Sequence, residues 1–305
     1  MEQLRYRGRF APSPTGPLHF GSLVTAVASW LEARAAGGDW LVRIEDLDPL
    51  REPPEAIGQI LHSLNCHGLF PDEPVRFQSK RHDAYQATVE QLLSQGYAYR
   101  CRCSRKQLQQ HGGYHPAHCR TTQPAHIDAP CAIRFALSDE ASYWQDLLLG
   151  PQHQQVCAER DDPVILRKEG FYAYQLAVVV DDIDQGITHV VRGSDLLDMT
   201  AQQQQMFRAL QALPPQWLHI PVILNSEGQK LSKQTRAPAL NDTQPAANLV
   251  RALGALGQTP PASLHTATVD DVLAWGRHHW QRQAIPLTSQ QAHGINPNTH
   301  LPPDH

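Results

Sequence analysis

The 305-residue sequence contains no apolar run approaching the 18 or more residues that a membrane-spanning helix requires. Its first residues, MEQLRYRGRFAPSP, also lack the apolar stretch that follows the basic residues of a secretory signal. These absences predict a soluble, cytoplasmic protein that does not engage a membrane. No feature of the sequence indicates an obligate protein partner, and the length suits one large domain or two small ones.

The sequence has no excess of positive charge, because 26 Lys and Arg residues stand against 30 Asp and Glu residues and give a formal charge of −4. This charge argues against general electrostatic coating of a nucleic acid, so any RNA contact must use a local basic patch. The 6 cysteines are unevenly spaced, and in a reducing compartment we do not expect them to form a disulfide framework.

Two common nucleotide-binding motifs, GxGxxG and GxxxxGK[ST], are absent, which argues against ordinary dehydrogenases and P-loop ATPases. Another kind of phosphate site is present. A short strand predicted over residues 5–11 meets the turn PSPTGP, and a helix with His19 and Gly21 in its first turn follows. Free backbone N–H groups and the helix dipole favour phosphate there. The apolar stripe of this helix comprises Phe20, Leu23, Val24, Val27 and Leu31.

Charged residues follow two further predicted strands. Glu45, Asp46 and Asp48 come after the apolar segment 40–44, and ligands gather at the carboxyl ends of strands in parallel sheets. We expect Glu45 to be functional and the two aspartates to have structural or arginine-pairing roles. Lys230 and Lys233 lie in the polar loop KLSKQ, where they could neutralise charge that develops on a phosphate.

The remaining pattern alternates between strands and helices. It predicts helices over 54–64, 81–95 and 196–213, strands over 172–180, 188–191 and 220–224, and short helices up to about residue 283. An irregular stretch rich in Cys, His, Gln and Pro interrupts the alternation after residue 98, which indicates an inserted subdomain.

The segments HFGS and KLSKQ resemble the HIGH and KMSKS signatures of class I aminoacyl-tRNA synthetases. The flanking segments RFAPSPTGPLHFGS, LVRIEDLD, FYAYQLAVVVDD and VVRGSDLL are similar to the glutamyl branch of that family, and the resemblance runs from Arg9 to about Ala239. It implies an α/β fold with a Rossmann-type, doubly wound parallel sheet, a zinc-binding inserted subdomain and a short helical C-terminal region.

The resemblance also implies domain boundaries within the chain. The first half of the catalytic domain covers residues 1–98, and an acceptor-type zinc-binding insertion covers 99–168. The second half, with the KLSKQ loop, covers 169–238. A short helical region over 239–283 and a flexible tail over 284–305 complete the chain.

The resemblance implies that the protein activates glutamate with ATP, with Mg²⁺ as counter-charge, to form glutamyl-adenylate. His19, Gly21, Lys230 and Lys233 would be catalytic, and His19, Gly21, Ser22 and Lys233 would bind ATP. A guanidinium or a phenol suits the substrate's side-chain carboxylate, and an anion suits its ammonium group. The implied glutamate-binding residues are Arg9, Phe10, Ala11, Pro12, Ser13, Glu45, Tyr174 and Arg192. Gln234 and Thr235 depart from the serine ending of many KMSKS loops.

Only residues 235–305 follow the loop, whereas full glutamyl-tRNA synthetases continue into a sizeable anticodon-reading region. With its short C-terminal part and Cys-x-Cys insertion, this sequence resembles the branch of the family that activates glutamate without tRNA and transfers it to queuosine at the wobble position of tRNA(Asp). The implied RNA partner is therefore the queuosine-bearing anticodon arm. A short synthetase that charges tRNA(Glu) and a non-catalytic tRNA-binding paralogue remain alternatives.

The insertion carries a candidate site for one structural zinc ion, with a Cys3His ligand set of Cys101, Cys103, His115 and Cys119. Tyr114 occupies a position close to the third ligand of the resembled family, and His111 and His118 are further rivals to His115. Arg100, Arg102, Arg105, Lys106 and Arg120 surround these positions. We expect them to form a basic surface that contacts tRNA phosphates.

Overall fold

The structure is a computed structural model that describes residues 5–110, 118–121, 130–231 and 237–291. Its strands are β1 (Arg7–Phe10), β2 (Asp39–Ile44), β3 (Arg76–Phe77), β4 (Ala98–Cys101), β5 (Ala132–Phe135), β6 (Ala141–Asp146), β7 (Gly150–Gln155), β8 (Val164–Leu166), β9 (His189–Gly193), β10 (Gln216–Ile220), β11 (Ile223–Leu224) and β12 (Gln290–Gln291). Its helices are α1 (Phe20–Ala35), α2 (Ala56–Cys66), α3 (His82–Ser94), α4 (Arg105–Gln110), α5 (His118–Thr121), α6 (Ala158–Asp161), α7 (Tyr174–Asp184), α8 (Thr200–Ala209), α9 (Pro245–Ala255) and α10 (Val269–His279).

The centre of the molecule is built from parallel strands. β1 pairs with β2 and β2 with β3, while β9 pairs with β10, all in parallel. The two groups lie side by side, since the N–H of Thr188 donates to the carbonyl of Arg7 at 3.0 Å just before β9 begins. The predicted α/β fold with a parallel sheet is thus confirmed, and the carboxyl ends of β1, β2 and β9 open on one edge.

Helix α1 crosses between β1 and β2 and buries its predicted apolar stripe. Phe20, Leu23, Val24, Val27 and Leu31 all belong to the largest core cluster. Because those positions recur at helical spacing, they share the face that packs on the sheet. This packing fixes the first turn of α1 at the sheet edge.

The strands described in the inserted segment pair in antiparallel fashion. β4, β5 and β8 make one small sheet, and β6 and β7 form a hairpin. The hairpin contacts the central sheet, because the N–H of Leu147 donates to the carbonyl of Trp217 on β10 at 2.8 Å. The insertion is therefore joined directly to the strand group that includes β9.

The strand predicted over 172–180 is wrong, because most of that segment belongs to helix α7. The side chains from Leu176 to Val180 are all buried, so the helix lacks a polar face that would show helical periodicity. A continuous apolar run cannot distinguish a buried helix from a buried strand, and the valines favoured a strand. Asp181 and Asp182, at its end, are also buried.

The predicted helix over 196–213 and the strand over 220–224 also differ from the structure. A 3-10 helix over Ser194–Met199 precedes the shorter α8. The strand pairing with β9 is β10, which lies earlier than predicted, and β11 follows it. The polar Gln216 and His219 within β10 concealed this strand in the sequence, although His219 is fully buried.

The C-terminal helices α9 and α10 pack on α1. Arg282, just beyond α10, donates to both oxygens of the buried Glu32 carboxylate on α1, and the indole of Trp280 donates to Oε1 at 2.6 Å. The start of the predicted tail at residue 284 needs correction: Ile285 is buried and β12 pairs with β11. Residues 292–305 lie outside the described part.

Across the described ranges, no helix has both the length and the apolar character needed to cross a membrane.

Candidate active site

A cavity of about 740 Å³ opens at the carboxyl ends of β1, β2 and β9. Every predicted catalytic, glutamate-binding or ATP-binding residue in the described part of the chain lines this cavity. They are Arg9, Phe10, Ala11, Pro12, Ser13, His19, Gly21, Ser22, Glu45, Tyr174, Arg192 and Lys230. Lys233 lies outside the described residues. The residues come from widely separated parts of the chain, and the parallel sheet brings them to one edge.

The first turn of α1 forms one wall of the cavity. His19 caps this helix, since its Nδ1 accepts the backbone N–H of Ser22 at 3.2 Å. The imidazole folds over the turn, so a Cβ at Gly21 would lie 3.2 Å from its Cε1 atom. A capping role and a place in the cavity wall are therefore compatible for His19.

The first signature segment contacts residues that follow the second one in the chain. The N–H of Leu240 donates to the carbonyl of Leu18 at 2.9 Å, and His19 forms an isolated β-bridge with Ala239. On the near side of the loop, the N–H of Leu231 donates to the carbonyl of Ile223 at 2.7 Å. The described residues on both sides of the KLSKQ loop are thus held next to the first turn of α1.

Lys230 lies at the cavity wall and forms an ion pair with Asp195, with Nζ 2.5 Å from Oδ2. Asp195 follows β9 in the segment VVRGSDLL. A Cβ at Gly193 would stand 2.4 Å from Oδ1 of Asp195, so a larger residue at 193 would displace this carboxylate. The glycine therefore allows Asp195 to reach the lysine.

A buried group of charges supports the floor of the cavity. Asp182 accepts from Nε of Arg9 at 3.1 Å and from Nη1 of Arg43 at 2.7 Å. Although burial opposes ionisation, the two guanidinium groups hold the pKa of Asp182 below its ordinary value. Since a buried charge is costly without a partner, these pairs fix β1, β2 and α7 to one another.

Glu45 stands at the end of β2, where its carboxylate accepts from Nη2 of Arg43 at 3.3 Å. Its backbone N–H donates to the carbonyl of Pro12, which ties it to the proline-rich turn. Burial raises the pKa of Glu45 to about 6, against the opposing effect of Arg43 and Arg9. The group is therefore mostly ionised at neutral pH and can bind an ammonium group.

The neighbouring aspartates have the structural roles expected for them. Asp46 accepts from the backbone N–H and the hydroxyl of Ser79 at 2.9 and 2.6 Å. Asp48 pairs with Arg51 and Arg167. Both carboxylates are thus engaged within the protein.

Arg192 is 4% exposed and has an unusual environment for a buried cation. Its guanidinium donates to Nε2 of His219 at 2.9 Å, to Oε1 of Gln203 at 2.7 Å and to the hydroxyl of Thr200 at 2.9 Å. Burial lowers its pKa. Among the described residues, none of the acceptors bound to Arg192 is a carboxylate, so its positive charge is available to an anionic ligand.

Tyr174 begins α7 and lines the cavity together with Arg192 and Glu45. Burial and the charge of Glu45 raise the pKa of its phenol, so the group stays protonated and can donate a hydrogen bond. Arg192, Tyr174 and Glu45 thus present a cation, a neutral donor and an anion in one space.

The cysteine cluster lies in the insertion. The sulfur atoms of Cys101, Cys103 and Cys119 lie within 4.8 Å of one another, and the Sγ atoms of Cys103 and Cys119 are 3.5 Å apart. Zinc binds thiolates at about 2.3 Å, so sulfurs at this spacing fit around one ion. Tyr114 and His115 lie outside the described residues, while His118 begins the short helix α5.

The predicted basic surface next to these cysteines needs one correction. Arg120 forms an ion pair with the buried Asp162, and its guanidinium lies 5.8 Å from the ring centre of Tyr99. Much of its charge is therefore neutralised within the protein. Arg102 and Lys106 are exposed and remain the better candidates for contacting phosphates.

Sequence reasoning missed Asp182, Asp195 and His219 as residues that support the site. The first two had a detectable signal, because each is an acidic residue beside an apolar run in a segment that carries the family resemblance. His219 had none, since its strand was placed too late in the sequence. Its location depended on the tertiary structure.

Comparisons with known proteins agree with this geometry. The catalytic-domain model of class I tRNA synthetases (E and Q) matches residues 5–274. The chain is 52% identical over 281 residues to the glutamyl-Q tRNA(Asp) synthetase of Pseudomonas aeruginosa strain LESB58, covering 92% of this chain and 95% of that one. It is 45% identical over 286 residues to the enzyme of that name from Vibrio vulnificus strain CMCP6, covering 94% and 93%.

A solved structure shows the same fold. The glutamate tRNA ligase from Elizabethkingia meningosepticum CCUG26117, in complex with its amino acid, is 26% identical with a TM-score of 0.77. The match covers 94% of this chain and 67% of that one.

Proposed function

Because the chain belongs to the class I tRNA synthetases of the glutamate and glutamine type, we propose that it activates glutamate with ATP and transfers the glutamyl group to queuosine in tRNA(Asp). The observation that carries the choice of amino acid is that one cavity contains both the buried guanidinium of Arg192, which has no carboxylate partner among the described residues, and the buried carboxylate of Glu45. The transfer step rests on the names of relatives at 45–52% identity.

In the activation step, the α-carboxylate of glutamate attacks the α-phosphorus of ATP, and pyrophosphate leaves. Arg192 and Tyr174 bind the side-chain carboxylate, with Arg9 beside them, while Glu45 binds the ammonium group. Phe10, Ala11, Pro12 and Ser13 shape the wall against the amino acid. These contacts orient the attacking oxygen.

The phosphates of ATP are assigned to the first turn of α1. His19, Gly21 and Ser22 border the space that the triphosphate would fill, and the helix dipole favours negative charge there. Lys233 stabilises the charge that develops at the phosphorus, and Lys230 supports the loop through Asp195. Mg²⁺ accompanies ATP as further counter-charge.

One structural zinc ion is proposed for the insertion, held by Cys101, Cys103 and Cys119 with His115 as fourth ligand. Tyr114 and His118 are the alternatives for that fourth position. The ion would fix the strand β4 to the segment that contains α5. The basic residues beside it would then contact RNA phosphates.

In the second step, a hydroxyl of the queuosine ring attacks the glutamyl carbonyl, and AMP leaves. The anticodon loop is single-stranded, so the wobble base can be turned outward into the cavity.

Two assays test this proposal. Glutamate should support exchange of pyrophosphate into ATP with no tRNA present, and labelled glutamate should then be transferred to an isolated anticodon stem-loop that contains queuosine. The matched control is the same stem-loop with guanosine in place of queuosine, which should accept nothing.

Two results would contradict the proposal. Charging of tRNA(Glu) at an intact 3′ end, without transfer to the stem-loop, would favour a short glutamyl-tRNA synthetase. Absence of glutamate-dependent exchange would favour a non-catalytic binding protein.

A further inference from the structure

A buried chain of hydrogen bonds connects the inserted hairpin with the amino-acid end of the cavity. It starts at Asp146, the last residue of β6, continues through His219 on β10 and ends at Arg192 on β9. Oδ2 of Asp146 lies 2.5 Å from Nδ1 of His219, and Nε2 of His219 lies 2.9 Å from Nε of Arg192. The side chains of Asp146 and His219 are inaccessible to solvent.

Asp146 is held rigidly at one end of this chain. Its Oδ1 accepts the backbone N–H groups of Leu148 and Leu149 at 3.0 and 2.9 Å. Burial opposes its ionisation, but the hydrogen bonds from His219 and the two N–H groups keep its pKa below the ordinary value. An ionised carboxylate accepts hydrogen bonds and donates none.

The state of His219 follows from its two neighbours. Asp146 requires a proton on Nδ1, and the Nε–H of Arg192 requires a lone pair on Nε2. The neutral tautomer with Nδ1–H satisfies both. Burial, together with the charge of Arg192, keeps the pKa of His219 below its usual value, although Asp146 opposes this.

This arrangement leaves the positive charge of Arg192 free of a carboxylate partner among the described residues. A carboxylate bound directly to Arg192 would neutralise the guanidinium, whereas an imidazole orients it through Nε without supplying a full negative charge. Gln203 and Thr200 bind Nη1 and Nη2 in the same neutral manner. The guanidinium is therefore fixed in direction and retains its charge for a ligand.

We propose that His219 and Asp146 are positioning residues that act through Arg192 to select an amino acid with an acidic side chain. The inference rests on the proposed activation of glutamate and deepens it. A purely structural role would predict reduced stability without a change confined to the amino-acid substrate. The two roles therefore differ in which kinetic constant changes.

The test measures pyrophosphate exchange without tRNA and determines KM separately for glutamate and ATP. His219→Leu removes the acceptor of the Arg192 Nε–H, and we expect KM for glutamate to rise about tenfold or more. KM for ATP should stay within about twofold, and the preference for glutamate over glutamine should fall. His219→Gln can present an amide oxygen near the position of Nε2 and should recover most of the loss.

A second variant covers the case in which His219→Leu fails to fold. Asp146→Asn keeps the side-chain shape, but its amide would donate to Nδ1 and move the imidazole proton to Nε2, facing Arg192. The same selective rise in KM for glutamate is expected. Asp162→Asn is the matched control, because Asp162 is a buried carboxylate of the insertion bound to Tyr99 and Arg120.

The outcomes distinguish failure of the proposed function from failure of the positioning role alone. If the wild-type protein shows no glutamate-dependent exchange, the proposed function and this inference both fail. If the wild type is active, the inference alone is overturned by an unchanged KM for glutamate in folded variants. Equal rises in both KM values, or no recovery in His219→Gln, would also overturn it.

Discussion

Gln203 accepts a 2.7 Å hydrogen bond from Nη1 of Arg192 through a neutral amide. A glutamate of nearly the same shape at this position would place a carboxylate against the guanidinium. The contrast with Arg9, which is paired with Asp182, shows that the two cavity arginines have different electrostatic surroundings. Of these two arginines, Arg192 is held by neutral groups and Arg9 by a carboxylate, as far as the described residues show.

Gln203→Glu should therefore weaken the use of glutamate. The new carboxylate would pair with Arg192 and repel the substrate side chain, so kcat/KM for glutamate should fall about 100-fold or more. Gln203→Met, which removes the hydrogen bond without adding charge, should have a smaller effect. Pyrophosphate exchange measures both. Equal losses in the two variants would mean that charge on Arg192 does not select the substrate.

The raised pKa of Glu45 predicts the acid limb of the pH profile. Above about pH 6 the carboxylate is ionised and can bind the substrate ammonium as proposed, and below it the group is protonated. Consequently kcat/KM for glutamate should fall as the pH drops through about 6. Because bound ammonium stabilises the carboxylate, the corresponding limb of kcat should lie at lower pH. Glu45→Gln should be weakly active without this limb in kcat/KM, and a limb that persists unchanged would assign it to another group.

Zinc content tests the cysteine cluster directly. Purified protein should contain one zinc per chain by metal analysis, and Cys101→Ser, Cys103→Ser and Cys119→Ser should each lose most of it. Cys157→Ser is the control, because Cys157 lies outside the cluster. The fourth ligand is identified by comparing His115→Ala, His118→Ala and Tyr114→Phe. Full zinc occupancy in the Cys101 variant would refute the site.

The exposed cations of the insertion should act on RNA and leave amino-acid activation intact. Arg102→Ala combined with Lys106→Ala should weaken glutamyl transfer and reduce its salt dependence, since fewer counterions are released from the RNA. Pyrophosphate exchange should stay unchanged. The control pair, Lys80→Ala with Arg277→Ala, removes two positive charges outside the insertion. Equal weakening by the control would show that overall charge, and not this surface, governs RNA binding.

The segment around Ala284 should contribute to the free energy of unfolding by packing closely against Gly257. This residue has φ of +70°, and an added Cβ would lie 1.9 Å from the carbonyl oxygen of Ala284. Gly257→Ala should reduce the free energy of unfolding by more than about 2 kcal/mol, because strain and collision add. Gly96→Ala is the control, with φ of +78° and open space, and should cost about 1 kcal/mol. Equal midpoints in denaturant unfolding would contradict tight docking of this segment.

The sequence was most informative where a pattern had one explanation. The apolar stripe from Phe20 to Leu31 could only be one face of a helix, and the acidic residues after residue 44 had to lie at a strand end. Helix α7 was misassigned because burial on all sides removed its periodicity. Strand β10 was misplaced because His219 is polar and so did not look like a buried strand residue. Its hydrogen bonds to Asp146 and Arg192 are what make its burial possible.

The family resemblance named the residues of the cavity, but it could not show how their charges are balanced. That Arg9 has a carboxylate partner and Arg192 has neutral ones depends on α7 and α8, which contribute Asp182 and Gln203. The first contact joins residues 173 positions apart, and the second joins residues on different elements 11 positions apart. No local pattern contains that information.

Because β1 and β9 are joined, the cavity can form during synthesis only after β9 has left the ribosome. Arg7 and Thr188, which meet there, are 181 positions apart. Contacts over such distances form slowly, because the loop-closure entropy is lost before the contacts compensate for it. A nascent chain that ends before β9 has Arg9 and Glu45 but lacks Arg192. If Arg192 binds the substrate side chain as proposed, the ribosome must complete the second half of the sheet before the protein can distinguish glutamate from any other amino acid.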